Sequence, residues 1–318
     1  MGIFAAAKAA LTSCLGIKPG EQVVVLTDGW EPAVVDAFKQ AAFEAGGETL
    51  LVSFLPRRRN GEEPPPAVAA AMAAADIVLM PTSRSLSHTK ARRRANEAGA
   101  RVASMPSITA EMMERALAVD YRAMGRLTHQ WTEALTRATE ARLISPAGTE
   151  LVIGLGERKA LADTGQLMHK GSFGNLPAGE AFIAPVEGTA QGTLVLDGSL
   201  AGWGKLASPV VLRIAQGLVA SIEGGQEADW LRQALAPCGE PGLNLAELGI
   251  GTNPRAKLTG VVLEDEKALG TVHLALGDNR GIGGQVEAGI HLDGMVLNPT
   301  LLLDGRLVID AGKHLLSG

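Results

Sequence analysis

Two kinds of hydrophobic pattern divide the chain. Up to about residue 145, short apolar runs alternate with stretches whose apolar positions recur every three to four residues. Gln22–Thr27 (QVVVLT) reads as a strand. Positions 32–45 read as a helix, with Val35, Phe38, Ala42 and Phe43 on one face and Gly46-Gly47 as its stop. Strands over 49–54, Ile77–Met80 and Arg101–Ser104 follow, separated by helices over 67–75 and 89–98. A long polar helix over 110–143 closes this half. Strands spaced by helices predict parallel βαβ units and an open sheet covered on both sides.

Beyond residue 145 the period changes to two, broken by glycine turns: ELVIGLG, GTLVLDGSL, VVLRIAQGLVASIEGG, GTVHLALG, AGIHLDGMVL, PTLLLDGRLVID. Asp-Gly pairs at 197–198 and 304–305 are hairpin signals. One or two helices are expected, such as one over Gln226 to Ala236. The expected fold is therefore α/β. A doubly wound, largely parallel Rossmann-like sheet occupies 1–145, and a β-rich α+β domain occupies 146–318, with Pro146-Ala147-Gly148 at the boundary.

Composition narrows the function. With 46 % hydrophobic residues over 318 positions, the chain can bury a sizeable core. The net charge of −5 argues against nucleic acid as a partner. No apolar run approaches the ~18 residues of a membrane span. The segment after Met1 carries Lys8 and reads as an amphipathic helix ending near Gly16, not as a signal peptide, and Ala6 breaks the myristoylation pattern. Cys14 and Cys238 are too few and too far apart for a disulfide framework or a CxxC site, so free thiols and a cytoplasmic location are expected. Six Phe, four Trp and one Tyr stand against 39 Gly, which implies an aliphatic core with many tight turns.

With only six histidines, the candidate chemistry is concentrated. His291 and Asp293 are two apart in an alternating segment, so both point to one face of a strand. His273 sits in a second such segment. Two imidazoles and a carboxylate suit zinc or the facial triad of non-haem Fe(II). Glu180 (NLPAGEAFIAP) and Glu247 (LAELGIGTNP) lie in apolar surroundings, where a carboxylate is costly unless paired or metal-bound. Taken singly, His273 reads first as a satisfied core histidine, HLD as a coincidence and each glutamate as a loop acid. GIGTNP and GIGGQVEAG do not join a strand to a helix, which excludes a dinucleotide loop.

NLPAGEAFIAP, AELGIGTNP, LEDEKALGTVHLALG and GIHLDGMV, in this order, resemble the aminopeptidase T and aminopeptidase S family of metallopeptidases. SLSHTKAR (85–92) extends the similarity weakly into the first half. The resemblance implies a homodimeric metallo-aminopeptidase. In it, Glu180, Glu247, His273, His291 and Asp293 would hold two zinc or cobalt ions, which activate water against a small peptide. The family's active-site tyrosine falls at Arg280 here, and the only tyrosine is Tyr121. Arg280 is expected as a substitute electrostatic group or an anion contact. The chain also resembles the dihydroxypyridine ring-cleaving dioxygenases. That implies one Fe(II) on His273, His291 and Asp293 and a small-molecule substrate. A non-catalytic small-molecule-binding relative is the third reading. His88, where the third strand's connection meets a helix, is a candidate general acid/base or substrate contact, or simply a capping or surface residue. The Arg triplets at 57–59 and 92–94 read as solvated faces.

Overall fold

A computed structural model describes residues 2–316; Met1, Ser317 and Gly318, with the expectations drawn on them, lie outside the described residues. The chain divides into two compact units: Met1–Gly125 with Asp163–Ala178, and Arg126–Ala162 with Gly179–Gly318. The division is thus not the single cut at 145 that the period change suggests. Phe173–Asn175 pairs with Arg101–Ser104 as an edge strand of the parallel sheet. Glu140–Ile144 belongs to an antiparallel sheet.

The first unit holds five parallel strands in the order Glu48–Ser53, Gln22–Thr27, Ile77–Met80, Arg101–Ser104, Phe173–Asn175. The reversal at Gln22–Thr27 makes it doubly wound. Ile77–Met80 and Arg101–Ser104 are buried at every position, as central parallel strands covered on both faces should be. On one face, Val24, Leu26, Val78, Met80 and Val102 pack with Val68 and Met72 of the Pro66–Ala73 helix and Ala91 and Ala95 of the Lys90–Glu97 helix. Thr89 caps the latter helix, its Oγ1 accepting from the Arg92 N–H at 3.1 Å.

The long helix over 110–143 does not form. Two helices, Ala110–Ala116 and Tyr121–Arg137, are followed by the strand Glu140–Ile144. Asp120 starts the second helix by accepting from the N–H groups of Arg122 and Ala123 at 2.9 and 3.0 Å. Over Glu140–Ile144 (EARLI) exposure alternates with burial, which is the period of a strand.

The second unit is built on two antiparallel sheets, one of eight strands and one of seven. Leu143, Leu151, Ile153, Leu194 and Leu212 of the first join Ile183, Leu248, Ile250, Leu274 and Val296 of the second in one aliphatic core, with Trp131 among them. Asp304-Gly305 makes the expected hairpin between Thr300–Leu303 and Arg306–Asp310, and both turn residues have positive φ (46° and 78°). Asp197-Gly198 does not. Gln191–Leu196 lies in the larger sheet and Ser199–Leu200 in the smaller, so the chain changes sheets there. Asp197 secures the crossing by accepting from the Leu297 N–H at 2.8 Å. Among the described residues no helix is long and apolar enough to cross a membrane.

Candidate metal centre

Four adjacent strands of the seven-stranded sheet carry the site: His291–Val296, Val272–Gly277, Leu245–Gly251 and Glu180–Ile183. Alternation sends Ala181, Ile183, Leu248, Ile250, Val272, Leu274, Leu276 and Val296 into the core. The register then decides what the opposite face holds. Asp293 lies across from Ala275, which pairs with Glu247; His291 pairs with Gly277, His273 with Gly249, and Glu180 with Gly251. All five expected metal residues therefore share one face. Each has glycine or alanine as a cross-strand neighbour. The absence of side chains there is required at Gly249, where a Cβ would stand 1.9 Å from His273 Nε2. The imidazole lies over that bare backbone.

Glu247 is the centre of the arrangement. His273 Nε2 lies 3.2 Å from its Oε1, and His291 Nε2 lies 3.4 Å from its Oε2. Asp293 Oδ1 is 3.4 Å from His291 Nε2, and Glu180 Oε2 is 3.5 Å from His273 Nε2. Ligand atoms gather in two groups that share Glu247: one with Glu180 and His273, the other with His291 and Asp293. The expected triad of His273, His291 and Asp293 is thus not a closed group by itself, because the Glu247 carboxylate stands between its two imidazoles.

Electrostatics follow from this crowding. Burial alone would raise the Glu247 carboxyl, but its bonds to His273 and His291 and their charge hold it well below the usual range. Burial disfavours a charged His273, yet the Glu247 bond and the Glu180, Glu247 and Asp293 charges lift it to about 9. His291 is lifted well above its usual value against the same burial, chiefly by Asp293 and then by Glu247. Glu266 is pushed up to about 8 by burial, with Lys267 opposing and the charges of Glu180 and Asp293 adding to it.

Backbone contacts fix which nitrogen faces the cluster. His291 Nδ1 lies 2.7 Å from the Asp278 carbonyl, which can only accept, so Nδ1 bears the hydrogen and Nε2 is left for the cluster. The loop after Asp278 is held in turn. Glu187 Oε1 accepts from Asn279 Nδ2 at 3.0 Å and from the Gln285 N–H at 2.8 Å, and Arg158 pairs with its other oxygen. Asn279 Oδ1 accepts from the Val286 N–H at 2.9 Å.

Not every expected residue joins. Arg280 sits on the short helical turn Arg280–Ile282, exposed and ion-paired with Glu287. His88 is an exposed turn residue of the first unit just before the Thr89 cap, and its carbonyl accepts from Arg93. Conversely, the run Glu264-Asp265-Glu266-Lys267, which looks like a solvated charge cluster, is buried throughout. Asp265 accepts from Ser199 Oγ at 2.5 Å and from the N–H groups of Thr259 and Gly260 at 2.6 and 2.9 Å. Lys267 bonds to Glu180, and to Glu266 at 2.8 Å. The only hint of this in the sequence is the bare contiguity of LEDEKALG with the His273 strand.

The donor set fits a divalent metal. Three carboxylates and two imidazoles converge on a mostly buried face. In the metal-free protein, protons on the imidazoles supply the positive charge that an ion would bring.

The scaffold has close structural likenesses. Over 99 % of this chain and 97 % of the other, it superposes on 2,5-dihydroxypyridine dioxygenase from Pseudomonas putida KT2440 with a TM-score of 0.83 at 22 % identity. It also matches AmpT from Thermus thermophilus over 99 % of both chains, with a TM-score of 0.73 at 18 % identity. At such identities both matches speak for the fold alone. Sequence separates the two branches. The 2,5-dihydroxypyridine 5,6-dioxygenase of Pseudomonas putida KT2440 is 29 % identical over 196 residues, a stretch that spans 56 % of this chain and 55 % of the relative. The sequence profile of 2,5-dihydroxypyridine 5,6-dioxygenases matches residues 3–315. These matches overturn the metallo-aminopeptidase expectation: the named relatives are oxidoreductases, not hydrolases, and zinc or cobalt finds no support among them. The fold is common to both branches, and over nearly its whole length the chain belongs to the 2,5-dihydroxypyridine 5,6-dioxygenase (NicX) family.

Proposed function

We propose that the protein is an Fe(II)-dependent dioxygenase that opens a dihydroxylated, pyridine-like ring. The observation that carries this reading is the aim of the two histidines: both Nε2 atoms turn to one carboxylate, Glu247, with Asp293 beside His291. His273, His291 and Asp293 would hold the ion, with Glu247 as the carboxylate that both imidazoles already share. Two imidazoles and a carboxylate are the ligand set of non-haem Fe(II) oxygenases, and bound Fe(II) supplies the one-electron chemistry that O2 requires.

The chain's own residues prepare the site for it. His291 is oriented by the Asp278 carbonyl and His273 by the bare backbone of Gly249. Glu247, which both imidazoles face, is the carboxylate that would accept a proton from a ring hydroxyl. The aliphatic core beneath the sheet keeps water from the rear of the cluster.

The test is anaerobic reconstitution with Fe(II), followed by 2,5-dihydroxypyridine and measured O2. The expected result is one O2 consumed per ring with loss of the aromatic absorbance, abolished in His291→Ala. Stoichiometric iron with no O2 uptake on this or related dihydroxylated rings overturns the proposal.

A further inference from the structure

Among the described residues, Lys267 is one of the largest fully buried side chains and the only charged one of that size. Its ammonium touches Glu180 Oε1 and lies 2.8 Å from Glu266 Oε1. Its backbone is pinned on both sides: its N–H donates to the Glu264 carbonyl at 3.0 Å, and its carbonyl accepts from the Asn253 N–H at 2.8 Å. Burial and pinning keep the ammonium from swinging out to solvent. The other oxygen of Glu180 is the one that faces His273. One of the two ligand groups, Glu180–Glu247–His273, therefore already has a cation on one of its carboxylates, whereas no lysine or arginine pairs with the group Glu247–His291–Asp293 among the described ion pairs.

We propose that Lys267 is a fixed cation standing in for a second metal ion, so that this carboxylate-rich face accepts one divalent ion instead of two. The inference rests on the metal-centre reading above and deepens it. Charge supports it. Glu180 and Glu266 each give a carboxylate oxygen to the ammonium. A second divalent ion beside Glu180 would have to sit against that fixed positive charge on a buried surface, a costly state. Without the ammonium, Glu180 becomes a vacant carboxylate ligand beside His273 and Glu247. One lysine thus separates a one-ion face from a two-ion face built of the same five ligands.

The experiment counts Mn(II) ions bound to the full-length protein, by equilibrium dialysis with elemental analysis, in wild type, Lys267→Met and Lys267→Arg. Methionine keeps most of the side-chain volume without charge; arginine keeps the charge. The expected counts are one, two and one. A folded Lys267→Met protein that takes up no more than one ion overturns the proposal, as does a wild type that takes up two. A wild type that binds none overturns the metal-centre reading instead. Should Lys267→Met fail to fold, wild-type crystals soaked in Mn(II) decide by anomalous scattering. A single peak between His273, His291 and Asp293 at the Glu247 carboxylate supports the proposal, and a second peak beside Glu180 overturns it.

Discussion

Gly249→Ala offers a sharp test of how the site is built, because the change adds one methyl group and touches no ligand. The new Cβ would lie 1.9 Å from His273 Nε2, 2.2 Å from Cε1 and 2.7 Å from Cδ2. Non-bonded carbons do not approach ring atoms closer than about 3 Å, so the ring must retreat by at least about 1 Å. His273 is fully buried and has Met295 across the strand on its other side, which leaves no ready room for that retreat. Overpacking of this kind costs about 1–3 kcal/mol, which at this chain size lowers Tm by roughly 2–12 °C. The larger effect falls on the cluster, since the 3.2 Å contact to Glu247 is lost. Disturbing the surroundings of a ligand costs about 10–100-fold in metal affinity, and a 1 Å misplacement about 100-fold in rate. Isothermal titration with Mn(II) and thermal unfolding measure the two effects separately. Gly281→Ala is the matched control, because a Cβ there meets nothing within 4 Å. If Gly249→Ala binds Mn(II) within twofold of wild type, or if the control loses as much, the glycine cradle is not what places His273.

Two further outcomes are expected. His273 is charged up to about 9 in the metal-free protein and His291 is raised well above its usual value, so metal uptake near neutral pH displaces close to two protons, and affinity should rise by up to about 100-fold per pH unit until roughly pH 9. For stability the sign is the opposite. The raised His273 value gives the metal-free protein a contribution that is complete below 6.5, the ordinary histidine value, and is lost as pH rises through about 9. Metal-free Tm should therefore fall over that window while metal-loaded Tm rises, and parallel curves in a pH series of thermal melts would refute the assignment. Glu187→Ala should leave the Asn279 amide and the Gln285 N–H without their acceptor, costing about 1–3 kcal/mol, and should free the loop whose Asp278 carbonyl orients His291. Mn(II) affinity should drop about 10–100-fold, with partial recovery in Glu187→Gln, which keeps an acceptor; equal affinities in all three proteins would show that the loop does not set His291.

Much of the fold was legible because its elements have a strong period. Four of the five strands of the parallel sheet are short runs rich in apolar residues, and their bounds fall within a residue of expectation. The long helix over 110–143 failed because a polar helical period ran into a five-residue strand with no proline or glycine between them. The unit boundary failed for a different reason. Phe173–Asn175 is three residues long and pairs across about seventy positions of sequence, a non-local contact that no window can register. Of the site, the ligand types and strand placement could be read from HLD, VHLALG and AELGIG. Register could not, and it is register that brings Glu180 and Glu247 to the face of His273 and Asp293. The burial of the Glu264–Lys267 run carried no signal in the sequence, since four consecutive charges are rarely buried unless each finds a partner; here each does.

The same reasoning explains why the peptidase expectation was physically coherent and still failed. Five ligands in the right order specify a cation-binding face, and that face is compatible with hydrolysis or with O2 chemistry on one scaffold. The choice between them lies in what surrounds the ligands. Arg280, standing where the peptidases carry their tyrosine, spends its charge on Glu287 at the surface and gives the cluster no inward-facing electrophile. Glu180, which together with Glu247 favoured a two-metal hydrolase, already has Lys267 as its counter-ion. What remains is a pair of imidazoles and a carboxylate grouped around Glu247, a set that suits one redox-active ion better than a water held between two. On the proposal made for Lys267, discrimination on this scaffold rests on the non-ligand residues that decide how much negative charge is left for metal.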